Sequence, residues 1–74
     1  MIIFKIRELI AQKELREGRK ITLQEISDVT GVNRTSLSKM QNTNFMHSTT
    51  TAAIERLCAY FDCRVEDLME YKKD

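Results

Sequence analysis

The chain has 74 residues, with two glycines, two cysteines and no proline. A chain of this length forms one domain at most and leaves little room for a deep substrate cleft. The formal net charge of +1 excludes a strongly basic protein. The charge is uneven, however: residues 1–47 carry eight basic and five acidic side chains, and residues 48–74 carry four and six. The N-terminal part is therefore the one that suits a phosphate-facing surface.

No apolar stretch approaches the roughly 20 residues of a membrane span. The apolar start Met1–Phe4 is too short for a signal peptide. Cys58 and Cys63 stand five residues apart in a chain without such a signal, which does not predict a disulfide framework. We therefore expect a cytoplasmic protein with no membrane partner.

The first helix is predicted over Phe4–Glu17. Ile6, Leu9 and Ile10 recur at helical spacing and form one apolar stripe. Gly18 then ends the helix, because glycine adopts the left-handed conformation that is common after a last turn.

The second helix is predicted from Leu23 to Val29. Thr22 is its expected N-cap, and Glu25 three residues later completes the pattern of a capping box. Near the end of this helix, either Val29 or Thr30 is expected to face the core.

A glycine turn and a third helix follow. Gly31 permits a sharp turn, and Asn33 is a second N-cap candidate. The third helix is predicted over Arg34–Gln41, with Leu37 and Met40 facing inward. Its outer face is therefore polar.

The rest of the chain is predicted as a loop and two further helices. Residues 42–47 form a polar loop anchored by Phe45 or Met46. The fourth helix opens within Ser48–Thr51 and has four apolar residues on one face: Ile54, Leu57, Cys58 and Phe61. A short fifth helix over about Val65–Glu70 packs through Val65, Leu68 and Met69. These elements predict an all-α, five-helix domain over residues 1–74.

The stretch Thr22–Gln41 resembles the helix-turn-helix of the Cro/repressor-type (XRE-like) family, whose pattern is similar to Leu-Thr-Gln-Glu-Glu-Leu-Ala-x-x-x-Gly-Val-Ser-x-x-x-Ile-Ser-x-x-Glu. The stretch Leu57–Tyr71 (LCAYFDCRVEDLMEY) is similar to the closing segment of a compact single-domain subgroup of that family. The resemblance implies a lambda-repressor-like fold with the helix-turn-helix at helices 2 and 3. It also implies a sequence-specific transcriptional regulator, in the first instance a repressor, that binds double-stranded DNA.

The third helix is then the recognition helix in the major groove. The expected base or groove contacts are Arg34, Thr35, Ser38 and Lys39. The expected phosphate contacts are Thr22, Asn33, Asn42 and Asn44. Leu23 stands where the family often has glutamine, and Gln24 is expected to face elsewhere on its helix.

Other interpretations remain open at this point. Arg34 and Lys39 also fit an ordinary solvated helix face, and the near-neutral charge also fits an antitoxin-like protein-interaction module of the same fold. Cys58 and Cys63, with His47, suggest a thiol or metal sensor, although structural zinc usually takes four ligands, so packing is the favoured role. No catalytic constellation is recognisable, and we expect no enzyme activity, metal or cofactor.

The segment Met1–Phe4 has two interpretations. It covers the base of the core, or it forms a subunit interface together with Tyr60 or Tyr71. Regulators of this type often bind two half-sites as two-fold dimers, so we expect a homodimer, at least on DNA.

Overall fold

The computed structural model describes residues 1–42 and 48–73, and within them five helices and two short strands surround one core. In chain order the elements are β1 (Ile2–Phe4), α1 (Ile6–Glu17), α2 (Leu23–Thr30), α3 (Arg34–Gln41), α4 (Thr51–Phe61), α5 (Val65–Leu68) and β2 (Met69–Tyr71). The predicted class of five helices with a helix-turn-helix at α2 and α3 is confirmed. Several residues with predicted roles lie outside the described part of the chain: Asn44, Phe45, Met46 and His47.

The two strands are a correction to the predicted helix ends. β1 runs antiparallel to β2, with Ile2 opposite Tyr71 and Phe4 opposite Met69. The Lys72 amide extends this pairing by donating to the Met1 carbonyl at 2.7 Å. Because these extended segments satisfy each other's backbone groups, α1 begins two residues after the predicted start and α5 ends two residues before the predicted end.

The core combines apolar residues that the helical spacing had placed inward with Phe4, Ile21 and Val32 from outside the helices. Ile54, Cys58 and Met69 are only partly buried and pack against it. The apolar stripe of α1 and the inward pair of α3 are buried as predicted. No helix in the described ranges is both long and apolar enough to span a bilayer. The buried apolar residues of the described chain are Phe4, Ile6, Leu9, Ile10, Ile21, Ile26, Val32, Leu37, Met40, Leu57, Phe61 and Leu68.

The burial of two valines was left open or predicted wrongly from the sequence. Thr30 faces the core, and Val29 is 67% exposed. Val65 was expected to pack but is 52% exposed, whereas Leu68 is fully buried. The reason is the length of α5: with four residues it makes about one turn, so few of its side chains can face inward.

Candidate DNA-binding surface

The start of α2 offers hydrogen-bond donors to an anion. Thr22 caps the helix as predicted, since its Oγ1 accepts a hydrogen bond of 3.1 Å from the Glu25 amide. The cap uses the oxygen as an acceptor, so the hydroxyl proton is left to donate. The backbone amides of Leu23 and Gln24 have no acceptor among residues 1–42 and 48–73. The positive end of the helix dipole adds to the attraction for a phosphate here.

The capping box predicted at this helix start is only half formed. The Glu25 carboxylate does not return to the Thr22 backbone. It accepts two hydrogen bonds of 2.8 Å from the Arg19 guanidinium and one of 3.3 Å from the Tyr60 hydroxyl. The hydrogen bonds from Arg19 hold the pKa of Glu25 below its ordinary value. Burial, reinforced by the Glu25 charge, raises the pKa of Tyr60.

The turn between α2 and α3 is fixed from within. Gly31 has a φ of 77°, in the left-handed region that favours glycine, and its amide donates to the Ser27 carbonyl at 2.8 Å. The Thr30 hydroxyl donates to the Ile26 carbonyl at 2.7 Å and accepts from the Val32 amide at 3.1 Å. Val32 is buried. The buried Thr30 thus links the end of α2 to the turn, which holds α3 in one orientation.

The start of α3 is capped by Asn33, as predicted. Its Oδ1 accepts a hydrogen bond of 2.7 Å from the Thr35 amide, which leaves the side-chain N–H groups to donate elsewhere. Leu37 and Met40 anchor the inner face of the helix in the core. The expected base or groove contacts are all exposed: Arg34, Thr35, Ser38 and Lys39.

These four side chains do not share one narrow line. At about 100° per residue, the four span roughly 140° around the helix, in the order Arg34, Ser38, Thr35 and Lys39. Ser38 and Thr35 therefore lie in the middle of this exposed face, and Arg34 and Lys39 lie at its two margins.

A shallow depression joins this face to the start of α2. It is lined by Thr22, Leu23, Gln24, Arg34, Thr35 and Ser38. Gln24 therefore does not face elsewhere, as the sequence had suggested, but borders the recognition face. Its side chain donates a hydrogen bond of 2.9 Å to Asp28, one helical turn further on. Helical spacing alone does not reveal this position, because the crossing of α2 and α3 determines which side of α2 meets α3.

A second depression extends from Ser38 along the C-terminal half of α3. Its other lining residues are Ile3, Phe4, Arg7, Glu8, Gln41 and Asn42. Asn42, an expected phosphate contact, is exposed at the C-cap of α3, and its amide donates to the Lys39 carbonyl at 3.1 Å. Arg7 is the residue that the sequence analysis missed here, because its proximity to α3 depends on how β1 and β2 place the start of α1.

The distribution of ion pairs leaves cations available on the α3 side. Among the described residues, the paired cations are Lys13, 2.7 Å from Glu17, and Arg19, which binds Glu17 and Glu25. None of these side chains lines either depression beside α3. Within the described ranges, Arg7, Arg34 and Lys39 form no ion pair, so their charge remains free to meet an anion.

Cys58 and Cys63 are free thiols, both partly buried, at the C-terminal end of α4. The Cys63 amide donates to the Cys58 carbonyl at 3.0 Å, and burial, reinforced by Cys58, raises the pKa of Cys63 to about 11. A thiol with this pKa is mostly protonated at neutral pH and is a poor nucleophile. The described residues contain no group of three or more His, Cys, Asp or Glu side chains placed to hold a metal ion.

The chain matches a known class of proteins over nearly its whole length. Residues 5–74 match the family of Cro/C1-type HTH DNA-binding domains, and the chain belongs to that family. It is a DNA-binding regulator of the helix-turn-helix type.

A relative is the SPbeta prophage-derived uncharacterized HTH-type transcriptional regulator YopS of Bacillus subtilis (strain 168). The two sequences are 36% identical over 59 residues, which is 80% of this chain and 78% of the relative. No solved structure matches the chain.

Proposed function

We propose that the chain regulates transcription by placing α3 in the major groove of an operator. Arg34, Thr35, Ser38 and Lys39 contact base edges or the groove, with Arg34 suited to a bidentate pair with guanine. Phosphate contacts come from Thr22, Asn33, Asn42 and Asn44, the last inferred from its position in the motif. The observation that carries the proposal is the depression in which the start of α2, whose first amides have no acceptor in the described part of the chain, adjoins the exposed face of α3.

The phosphate contacts and the base contacts have different roles. Donors at the start of α2 and at Asn33 would hold phosphates and fix the register, since phosphates carry no sequence information. The side chains on the α3 face would then read the bases. A regulator of this kind acts in the cytoplasm, and whether it represses depends on where its operator overlaps the promoter.

The test is selection from a pool of random duplexes, followed by sequencing and a salt titration of the retained site. A short enriched sequence whose affinity falls steeply with salt is expected, because each phosphate contact releases counterions. Binding that is absent or unselective contradicts the proposal and favours the protein-interaction module.

We further propose that two copies bind a two-fold symmetric site as a homodimer, with half-sites about one DNA turn apart. Phe4 is used in the core, whereas Ile2 is 44% exposed and Tyr71, opposite it in the sheet, is 70% exposed. Ile2 from the N-terminal segment, together with Tyr71 from β2, is the exposed apolar pair that remains for a subunit contact. Light scattering of the protein on duplexes with one or two half-sites decides the stoichiometry, and a single copy on a two-half-site duplex contradicts the dimer.

A further inference from the structure

We propose that Arg7 contacts a DNA phosphate and so holds the C-terminal half of the recognition helix, a role that extends the function proposed above. Arg7 lies in the first turn of α1 and is exposed. It lines the depression that Ser38, Gln41 and Asn42 border on α3. A cation is therefore held beside the half of α3 that lies farther from the start of α2.

The position of Arg7 is set by rigid structure rather than by a loop. The Lys5 amide donates to the Leu68 carbonyl at 2.6 Å, directly between β1 and α1. Phe4 before it and Ile6 after it are both buried. The backbone on the N-terminal side of Arg7 is thus anchored to α5 and to the core, so its side chain projects from a fixed base.

The charge of Arg7 is not neutralised by the protein. Its guanidinium forms no ion pair or hydrogen bond within residues 1–42 and 48–73. The neighbouring carboxylate, Glu8, lines the same depression beside α3 as Arg7. It also lines a depression on the other side of α1, which is bordered by Phe61 and Asp67. Glu8 therefore lies between the two surfaces, and Arg7 is the only cation among the described residues that line the depression beside the C-terminal half of α3.

The width of the major groove is compatible with a contact between Arg7 and a phosphate. An eight-residue helix is about 12 Å long, comparable to the width of the major groove of roughly 12 Å. With Ser38 over the bases, the start of α2 and Arg7 stand at opposite ends of the α3 face and adjoin the backbones that border the groove. A guanidinium suits this role because it binds phosphate through a planar fork of N–H donors.

The test compares Arg7→Gln with Arg16→Gln in the full chain on the selected operator and on an unrelated duplex. Arg16 is nine residues away on the same helix, about 180° around it, and is also exposed without an ion pair among the described residues. Both variants lose one charge, so any difference between them reports position. Arg7→Gln is expected to weaken binding about 10-fold on both duplexes and to reduce the salt slope by about 0.9, as one lost phosphate contact requires.

Two further variants complete the design, and one of them should strengthen DNA binding rather than weaken it. Glu8→Gln removes the carboxylate beside Arg7 and is expected to strengthen binding, while Arg7→Lys retains most of the affinity. Equal effects of Arg7→Gln and Arg16→Gln would overturn the role of Arg7. If Arg34→Ala still weakens operator binding and relaxes discrimination at one base pair in the same assays, the proposed function stands although the role of Arg7 is rejected. A wild-type chain that binds no duplex overturns both.

Discussion

The Arg19 guanidinium meets the Glu25 carboxylate through two parallel hydrogen bonds of 2.8 Å, and the same carboxylate accepts from Tyr60. This contact joins the segment before α2 to α2 itself and, through Tyr60, to α4. The helix whose first turn is proposed to bind phosphate is thus tied to the rest of the domain at that turn.

Glu25→Gln is expected to lower the thermal midpoint at neutral pH. The hydrogen bonds from Arg19 hold the folded pKa of Glu25 below its ordinary 4.5, so the ionised carboxylate stabilises the folded state above that value. The stabilisation is lost as pH falls through the folded pKa. Melting curves of both proteins between pH 7 and pH 3 should therefore converge on the acid side. A difference that stays constant over this range would show that the charge of Glu25 is not the cause.

Gly31→Ala is expected to destabilise the domain by about 1–2 kcal/mol, the cost of a left-handed conformation for a residue with a Cβ. An added Cβ would meet Arg56 Nη1 at 3.7 Å, an ordinary contact, so the penalty comes from the φ of 77° and not from a clash. Urea denaturation measures it. Gly31→Asn is the control, since asparagine tolerates this region, and it should lose clearly less. Equal losses would point to a steric cause instead.

Arg34→Ala is expected to weaken binding to the selected operator by about 1–3 kcal/mol, the usual scale of one base contact. Binding to unrelated duplexes should change much less, and discrimination should relax at one base pair. Arg16→Ala, on α1, is the matched control. Fluorescence anisotropy on the operator and on single-base variants gives both quantities. Unchanged operator affinity would remove Arg34 from the contacts.

The Cys63 thiol is expected to react slowly with iodoacetamide at neutral pH. Burial raises its pKa to about 11, so the thiolate fraction, and with it the rate, should keep rising well beyond pH 9. The protein should also lose stability as pH rises from 9 towards 11, because the folded state keeps a proton that the unfolded state releases. Because Cys58 contributes to this raised pKa, the measurement uses the unaltered protein, and tandem mass spectrometry assigns the label to Cys63 or Cys58.

The same cysteines provide a test of the sensor interpretation. A protein with both Cys58→Ser and Cys63→Ser should keep its operator affinity and its metal content. Rapid alkylation of Cys63 at pH 7, or loss of DNA binding in the double variant, would instead favour a sensing role.

Much of the recognition unit was predictable because its determinants are local. The caps Thr22 and Asn33 act on amides two or three residues away, and Gly31 acts through its own backbone angle. The inward positions of α3 follow from the helical repeat. Such short-range interactions can be predicted from a sequence because the residues that make them are close along the chain.

The tertiary structure alone decided the features that join distant parts of the chain. Ile2 pairs with Tyr71 across nearly the whole sequence, and this sheet moved the start of α1. The packing of helices against one another decided that Gln24 and Arg7 border α3 and that Glu25 turns to Arg19 and Tyr60. Periodicity predicts which face of a helix is buried, but the neighbours of its exposed face depend on crossing angles and strand pairing. Those are set by the packing of the whole core, which no local pattern encodes.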